Sequence, residues 1–362
     1  MMKNFKNTFK NKTIIVTGHT GFKGSWLTFW LNKLGANVVG ISSEYETNPS
    51  NFEVLGLKKQ ILHKKLDIRN LKKVSELFKL LNPDFVFHLA AQSLVKKSYN
   101  NPIETITTNA IGTLNILESL RFIKKKQCTA ILITSDKSYK NMEIIRGYKE
   151  NDILGGHDPY SASKAAAELI IQSYIKSYFN DKKNKVSIGV ARAGNVIGGG
   201  DWSPDRLVPD CMKSWSKKKR VIIRNPSSTR PWQHVFEAIG GYLLFAAKLR
   251  NNSNLHGEVF NFGPTNNKTY NVLKLVKKMR EHWKNVSWHI KKINTKQHES
   301  NLLKLNCSKA RIKLKWKSIL NFNETIEIST KWYKKYYTNP KKIREYSYEQ
   351  ICYYEKLLKE RL

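Results

Sequence analysis

Apolar and polar positions along the first half of the chain follow two alternating rhythms. Short apolar runs at 13–17, 38–42, 85–89, 130–134 and 186–191 predict strands buried on both faces. The segments between them carry apolar residues at helical spacing. One helix is predicted over 24–34, with Trp26, Leu27, Trp30, Leu31 and Leu34 on one face. A short one follows at 74–81. A long one at 102–122 places Ile103, Ile106, Ala110, Leu114, Leu117 and Leu120 at helical intervals, and another spans 161–178. Strands alternating with helices predict an α/β architecture, a parallel sheet covered on both faces.

The rhythm changes after Arg192. Gly198, Gly199, Gly200 and several prolines mark long loops between short elements. Helices are expected at 208–215, 238–249, 271–283 and 325–337, and a short strand at 221–224. A Lys- and Tyr-rich tail after Pro340 reads as helical. No internal repeat or low-complexity linker is visible.

Composition changes the picture in one respect. Lys and Arg number 64 against 28 Asp and Glu, a formal net charge of +36. A basic chain raises nucleic acid, anionic membranes and acidic substrates as partners. The lysines are scattered along the whole chain, with runs only at 124–126 and 217–220, where helices should end. The aromatics mix into core faces instead of lining one basic stripe, so no nucleic-acid partner is expected. No stretch approaches the about 18 apolar residues of a membrane span, and no signal-peptide core follows the basic start. Four distant cysteines form no disulfide framework or metal spacing. His282, His289 and His298 show no ligand spacing either. The expectations are a cytoplasmic chain, no membrane partner and no metal.

The candidate chemistry begins at the first strand. Gly18, Gly21 and Gly24 lie between a strand and a helix, spaced G-x-x-G-x-x-G. Glycines there permit a tight turn and let a pyrophosphate approach a helix N-terminus, whose free N–H groups favour an anion. The fold class predicted is therefore a Rossmann-type doubly wound sheet. After the second strand, Ser42 or Ser43 is placed for the adenosine ribose, with Glu44 further along. No arginine marks a 2′-phosphate site, which favours NAD over NADP. Asp67 and Ile68, after a third short strand, are placed to meet the adenine.

Tyr160 and Lys164 are four apart and share one helix face. A tyrosine hydroxyl, with a pKa near about 10, needs neighbouring positive charge to act as a base at neutral pH. The Lys164 ammonium and an oxidised nicotinamide supply it. Ser135, at the end of the 130–134 strand, can bridge Tyr160 to a substrate hydroxyl.

With these residues the chain resembles the extended short-chain dehydrogenases/reductases, in their branch of sugar-nucleotide epimerases and dehydratases. The resemblance covers roughly residues 10–335. It rests on TGHTGFKGSWL at 17–27, HLAAQ at 88–92, TSDKSY at 134–139, GGHDPYSASKAAAE at 155–168, ARAGNVIGGGDW at 191–202, DRLVPD at 205–210, TRPWQHV at 229–235 and HESNLLKLNCSKA at 298–310. It implies that residues 1–192, with 232–262 returning to them, form an NAD-binding domain. Residues 193–231 and 263–340 would form a smaller C-terminal α/β domain binding the sugar nucleotide, and 341–362 a tail outside the resemblance. Cofactor contacts are implied for Gly18, Thr20, Gly21, Phe22, Lys23, Gly24, Asp67, Ile68, Leu89, Ala90, Ala91, Gln92, Tyr160 and Lys164.

The reaction implied is the NAD-dependent 4,6-dehydration of CDP-glucose, in deoxysugar biosynthesis for surface polysaccharide such as lipopolysaccharide O-antigen. Tyr160 takes the 4-hydroxyl proton. Asp136 is the acid at carbon 6. Lys137 is the base at carbon 5, or stabilises the enolate while water or Glu168 takes the proton. Related dTDP-glucose dehydratases have Thr-Asp-Glu here, so Lys137 points to a CDP-sugar. A 4-epimerase, or a 4,6-dehydratase of another nucleotide sugar, is the alternative. Substrate contacts are implied for Asn195, Arg206, Leu207, Arg224, Arg230 and His298. Arg206 and Arg230 would hold the diphosphate, because a planar guanidinium pairs with phosphate oxygens. His234 is read as a loop support. Ser93 stands where the family has Pro. A homodimer or homotetramer is expected, with helices 102–122 and 161–178 pairing between copies.

Overall fold

The computed structural model describes residues 2–125, 127–181, 185–264, 269–291 and 303–361. Its frame is a seven-stranded, all-parallel sheet. In chain order the strands are β1 (Thr13–Thr17), β2 (Asn37–Ser42), β3 (Leu62–Lys65), β4 (Phe85–His88), β5 (Cys128–Ile133), β6 (Val186–Ala193) and β7 (Val259–Phe262). Across the sheet they run β7-β6-β5-β4-β1-β2-β3. The direction of winding reverses between β1 and β4, whose register pairs Thr17 with His88. A crevice therefore opens beyond their carboxyl ends, the place where doubly wound sheets bind ligands.

Successive residues of each strand serve opposite cores, as the two-residue strand period requires. Ile14 and Val16 enter one apolar cluster while Ile15 enters the other; Ile131 and Ile133 oppose Ala130 and Leu132 in the same way. This is why the strands read as unbroken apolar runs. One face is covered by α1 (Phe22–Lys33) and by elements of the second half of the chain. The other is covered by α2 (Leu71–Leu81), by the long helix here called α3, and by α4 (Pro159–Tyr178). α3 comprises Pro102–Ile106, a π turn at Thr107–Ile111 and Gly112–Leu120.

Several expectations are sharpened. α1 was predicted as one apolar face, yet Gly24 through Leu31 are all buried, because elements of the second half close over it. α4 starts at Pro159, with Asp158 accepting from the Ser161 N–H as its cap. Helix α5 (Val235–Asn251) covers the sheet, and β7 extends it beside β6. Two further helices, α6 (Phe322–Thr338) and α7 (Ile343–Arg361), pack behind α1 and α5. The tail is helical, as expected, and packs on its own chain. Tyr354 donates to Glu237 of α5, and Glu355 accepts from Trp30 Nε1 and pairs with Lys33 of α1. An N-terminal helix, Met2–Phe9, was not foreseen from the basic start; it buries Phe5 and Phe9 in the core.

Candidate active site

The glycine loop joins β1 to α1 at the reversal point. Gly18 has φ +72°, and a Cβ on it would lie 2.7 Å from the Ala90 nitrogen. A Cβ on Gly24 would lie 2.0 Å from the Gly18 carbonyl oxygen. Both glycines are thus required by space, and Gly18 also by conformation. α1 begins at a Gly21 cap that offers no side-chain acceptor to its first N–H groups. A bare helix N-terminus in a cradle that any Cβ would fill fits a dinucleotide pyrophosphate.

Around this loop the expected cofactor residues take distinct stations. Thr20 donates its hydroxyl to the Glu44 carbonyl at 3.0 Å. Leu89, Ala90, Ala91 and Gln92 leave β4 beside Gly18, the Ala90 N–H bonding Thr17 Oγ1. Gln92 is tied by its backbone N–H to Asn109 of α3 at 2.8 Å. Asp67 is gripped by Arg69 at 2.6 Å, which holds its carboxyl below the usual range. Ile68 packs so closely on Gly112 that a Cβ there would meet it at 2.5 Å. Ser42 is already engaged, 3.1 Å from His19 Nδ1, and Ser43 is exposed beside it. Glu44 reaches out to Lys65 at 3.8 Å.

His19 is a residue that sequence reasoning passed over. It occupies the loop's second position, fully buried, 2.7 Å from His63 and edge-on to Phe52. Burial lowers its pKa to about 4, so it stands neutral. The one sequence signal was Gly40: a Cβ there would strike the His19 ring at 2.3 Å.

The catalytic candidates converge beyond β5. Ser135 caps a single 3₁₀ turn, Asp136–Ser138, accepting from the Lys137 N–H and donating to Asp136 Oδ1 at 2.9 Å. Ser135 also acts on Tyr160, drawing its phenol down. Tyr160 and Lys164 are both buried on α4. Burial pushes the Tyr160 phenol up to about 12, against the pull of Ser135 and Arg206. Burial, then the charge of Lys23, brings Lys164 down to about 8. Burial raises the Asp136 carboxyl, opposed by Lys137, Ser135 and Lys23. Its second oxygen faces Gly194, where a Cβ would stand 3.2 Å away. Half-buried Lys23, from the glycine loop, is itself brought down to about 8 by burial and by Arg206. The two halves of the site are therefore one electrostatic unit.

Glu168, open above as an alternative proton acceptor, is corrected by its surroundings. It is sealed from solvent and both its oxygens are engaged by Arg192, with Thr134 and Ser138 adding two more donors. A carboxylate so occupied cannot reach a substrate proton.

On the substrate side, Asn195 is exposed just past β6. Arg206 caps the helix Leu207–Ser216, whose first residue is Leu207. It pairs with Asp201 at 2.9 Å and reaches Ser93 at 3.5 Å. Its positive charge favours the Tyr160 phenolate. Arg224, past the strand Val221–Ile223, meets Asp205 at 3.4 Å beside Lys96. Arg230 lies in the strand pair Thr229–Arg230 and Tyr270–Asn271. His298 lies outside the described residues. His234 is the cap of α5, its Nδ1 accepting from the Phe236 N–H. Among the described residues no group of His, Cys, Asp and Glu could hold a metal, and no helix is long and apolar enough to cross a membrane.

This arrangement has counterparts. Residues 15–329 match the protein family described as GDP-mannose 4,6 dehydratase. The CDP-glucose 4,6-dehydratase of Salmonella typhimurium is 43% identical over 333 residues, 91% of this chain and 92% of that protein. The dTDP-glucose 4,6-dehydratase of Haemophilus influenzae is 25% identical, covering 88% of this chain and 97% of its own. Among solved structures, an epimerase of Methanothermobacter thermautotrophicus superposes with a TM-score of 0.79 at 25% identity, over 94% of this chain and 97% of that one. A dTDP-glucose 4,6-dehydratase of Bacillus anthracis, solved with NAD, gives 0.72 at 21% identity, over 90% and 97%. With the match spanning the sheet, the glycine loop and the Tyr160–Lys164 helix, the chain belongs to the GDP-mannose 4,6-dehydratase family of sugar-nucleotide enzymes.

Proposed function

We propose that this chain dehydrates CDP-glucose to CDP-4-dehydro-6-deoxyglucose, using NAD. The observation that carries the reading is the Ser135–Asp136–Lys137 turn set against Tyr160: a buried acid whose carboxyl is pushed up by burial and which accepts from a serine that also acts on a buried tyrosine. An oxidation alone needs only Ser135, Tyr160 and Lys164. The adjoining acid and amine equip the site for elimination as well. The 43% identity to the Salmonella enzyme supports CDP as the nucleotide.

The glycine loop, Leu89–Gln92 and the Asp67–Ile68 turn would hold NAD, which when bound would supply the hydride acceptor for carbon 4 and the hydride donor for carbon 6. The protein moves the protons. Tyr160 receives the 4-hydroxyl proton, its phenolate favoured by Lys164, Arg206 and the positive nicotinamide. The carbon 4 ketone acidifies carbon 5, whose proton passes to Lys137. Asp136 protonates the 6-hydroxyl, which leaves as water. Lys137 then returns a proton to carbon 5 as the hydride arrives at carbon 6. The sum is one water lost with the cofactor unchanged. Arg206, Arg230 and Arg224 with Asn195 and Leu207 receive the nucleotide diphosphate beside this centre. In this reading residues 1–192 and 232–262 serve the cofactor, and 193–231 and 263–340 the sugar nucleotide.

Ile103, Ile106 and Ile111 of α3 and Leu169 and Tyr178 of α4 are exposed, and these helices cover one side of the sheet. They form the face through which we place a homodimer or homotetramer. Four free thiols fit a reducing compartment, the cytoplasm. The deciding experiment supplies NAD⁺ with CDP-, dTDP- or GDP-glucose separately and follows water loss by mass. Loss with CDP-glucose alone is expected. Loss only with another nucleotide moves the enzyme to that substrate, and a carbon 4 epimer without water loss removes the dehydratase reading.

A further inference from the structure

The buried Glu168–Arg192 pair lies outside the mechanism above, yet it is the most heavily bonded ionic group at the site. The two side chains are 0% and 1% exposed. Glu168 Oε1 accepts from Arg192 Nε at 2.6 Å, from Thr134 Oγ1 at 2.5 Å and from Ser138 Oγ at 3.2 Å; Oε2 accepts from Arg192 Nη2 at 2.5 Å. Arg192 Nη1 donates onward to Tyr139 at 2.6 Å and to the Glu150 carbonyl at 3.0 Å.

The placement of the two hydroxyls matters. Thr134 immediately precedes and Ser138 immediately follows Ser135, Asp136 and Lys137. The single Ser138 hydroxyl proton is shared between the Ser135 carbonyl at 2.7 Å and Glu168 at 3.2 Å, so one group both closes the turn on itself and ties it to the carboxylate. Glu168 follows Lys164 by four residues, as Lys164 follows Tyr160, so all three share one face of α4. One helix thus carries the redox pair and, one turn further on, a carboxylate that clamps both ends of the acid–base turn. A plain core position would not need a charge, since a buried ion pair is a poor source of stability compared with apolar packing.

We infer that Glu168 is a positioning residue that fixes the distance between the oxidation centre (Tyr160, Lys164) and the elimination centre (Asp136, Lys137). The inference rests on the dehydratase reading. Oxidation draws on α4 and the cofactor, with Ser135 the one residue it shares with the turn. Elimination needs the 136–138 turn held in register with the oxidised sugar, and a displacement of about 1 Å costs roughly 100-fold in rate. Loosening the clamp therefore slows the second step selectively.

Glu168→Gln leaves Arg192 buried without its counter-charge and threatens folding. The test therefore uses the two hydroxyls, with the ion pair intact. Thr134→Val with Ser138→Ala is assayed with CDP-glucose and NAD⁺ in single-turnover mixing. Build-up of reduced nicotinamide reads carbon 4 oxidation, and solvent deuterium entry at carbon 5 with water loss reads elimination. The expected result is oxidation within about threefold of wild type and elimination slowed about 10- to 100-fold, so that reduced cofactor accumulates. Thr134→Ser, which keeps the donor, restores the coupling. Equal loss in both steps, or no loss in either, overturns the inference. Wild-type protein run alongside reads the parent assignment by itself: oxidation without water loss there overturns the dehydratase reading, and the inference falls with it.

Discussion

At the residue scale, the site depends on burial acting differently on neighbouring groups. The same low-polarity surroundings raise Asp136 and Tyr160 and lower Lys164 and Lys23, so each moves toward its neutral form. For the acid role proposed for Asp136 this is useful, because an acid must hold its proton near neutral pH. The raised carboxyl is protonated below its shifted pKa and lost as an acid above it. Elimination by the wild type should therefore fall as pH rises through that value. Asp136→Asn should abolish this alkaline limb and slow water loss at least about 100-fold, with carbon 4 oxidation retained. Lys137→Ala should stop deuterium entry at carbon 5; exchange at the normal rate would remove Lys137 from the base role. Much of this was legible early, because Tyr160, Lys164, Ser135, Asp136 and Lys137 fall at fixed positions along two short segments. The role of Glu168 was not legible. Its partners Thr134, Ser138 and Arg192 sit just past β5, on the following turn and on β6, and only the parallel pairing of those strands with α4 packed on them brings four donors to one carboxylate.

At the element scale, α7 shows how a segment remote from the reaction supports the cofactor helix. Its Tyr354 hydroxyl donates to Glu237 of α5 at 2.8 Å, and that carboxyl also accepts the Ile319 and Leu320 N–H groups at 2.9 and 2.7 Å. Burial raises Glu237 to about 7. Its folded pKa lies above the ordinary value near about 4.5, so its contribution to stability is full below that value and is lost as pH rises toward 7. Tyr354→Phe removes a donor that matters most when the carboxyl is charged. It should cost about 1 kcal/mol at pH near 5 and about 2–3 kcal/mol near pH 8. Denaturant unfolding at the two pH values measures this, and an equal cost at both would show that Glu237 does not ionise in the folded chain. The helical form of this tail was readable from its composition. Its docking site was not, since Trp30, Lys33 and Glu237 lie more than a hundred residues before it in sequence.

At the scale of the whole molecule, the net charge of +36 is spread over solvated surface, while the exposed apolar residues of α3 and α4 share one side of the sheet. Ile103 at 78% and Leu169 at 57% exposure are costly for an isolated chain to present to water. Replacing both with Lys should convert the proposed dimer or tetramer to monomers in light scattering, with the monomer fold kept in circular dichroism. An unchanged mass would place the interface elsewhere.

The sequence by itself determined the alternation of strands and helices, the glycine loop and the paired catalytic motifs. Each is written in local terms: a period of residues, a missing Cβ, a fixed spacing along one helix. The tertiary structure alone decided that Gly18 abuts Ala90, that His19 is buried against His63, that Arg206 bears on Tyr160, and that Glu168 is saturated instead of reactive. Those are contacts between segments far apart in the chain. Their energies depend on burial and on distances of a few ångströms, which no one-dimensional pattern carries.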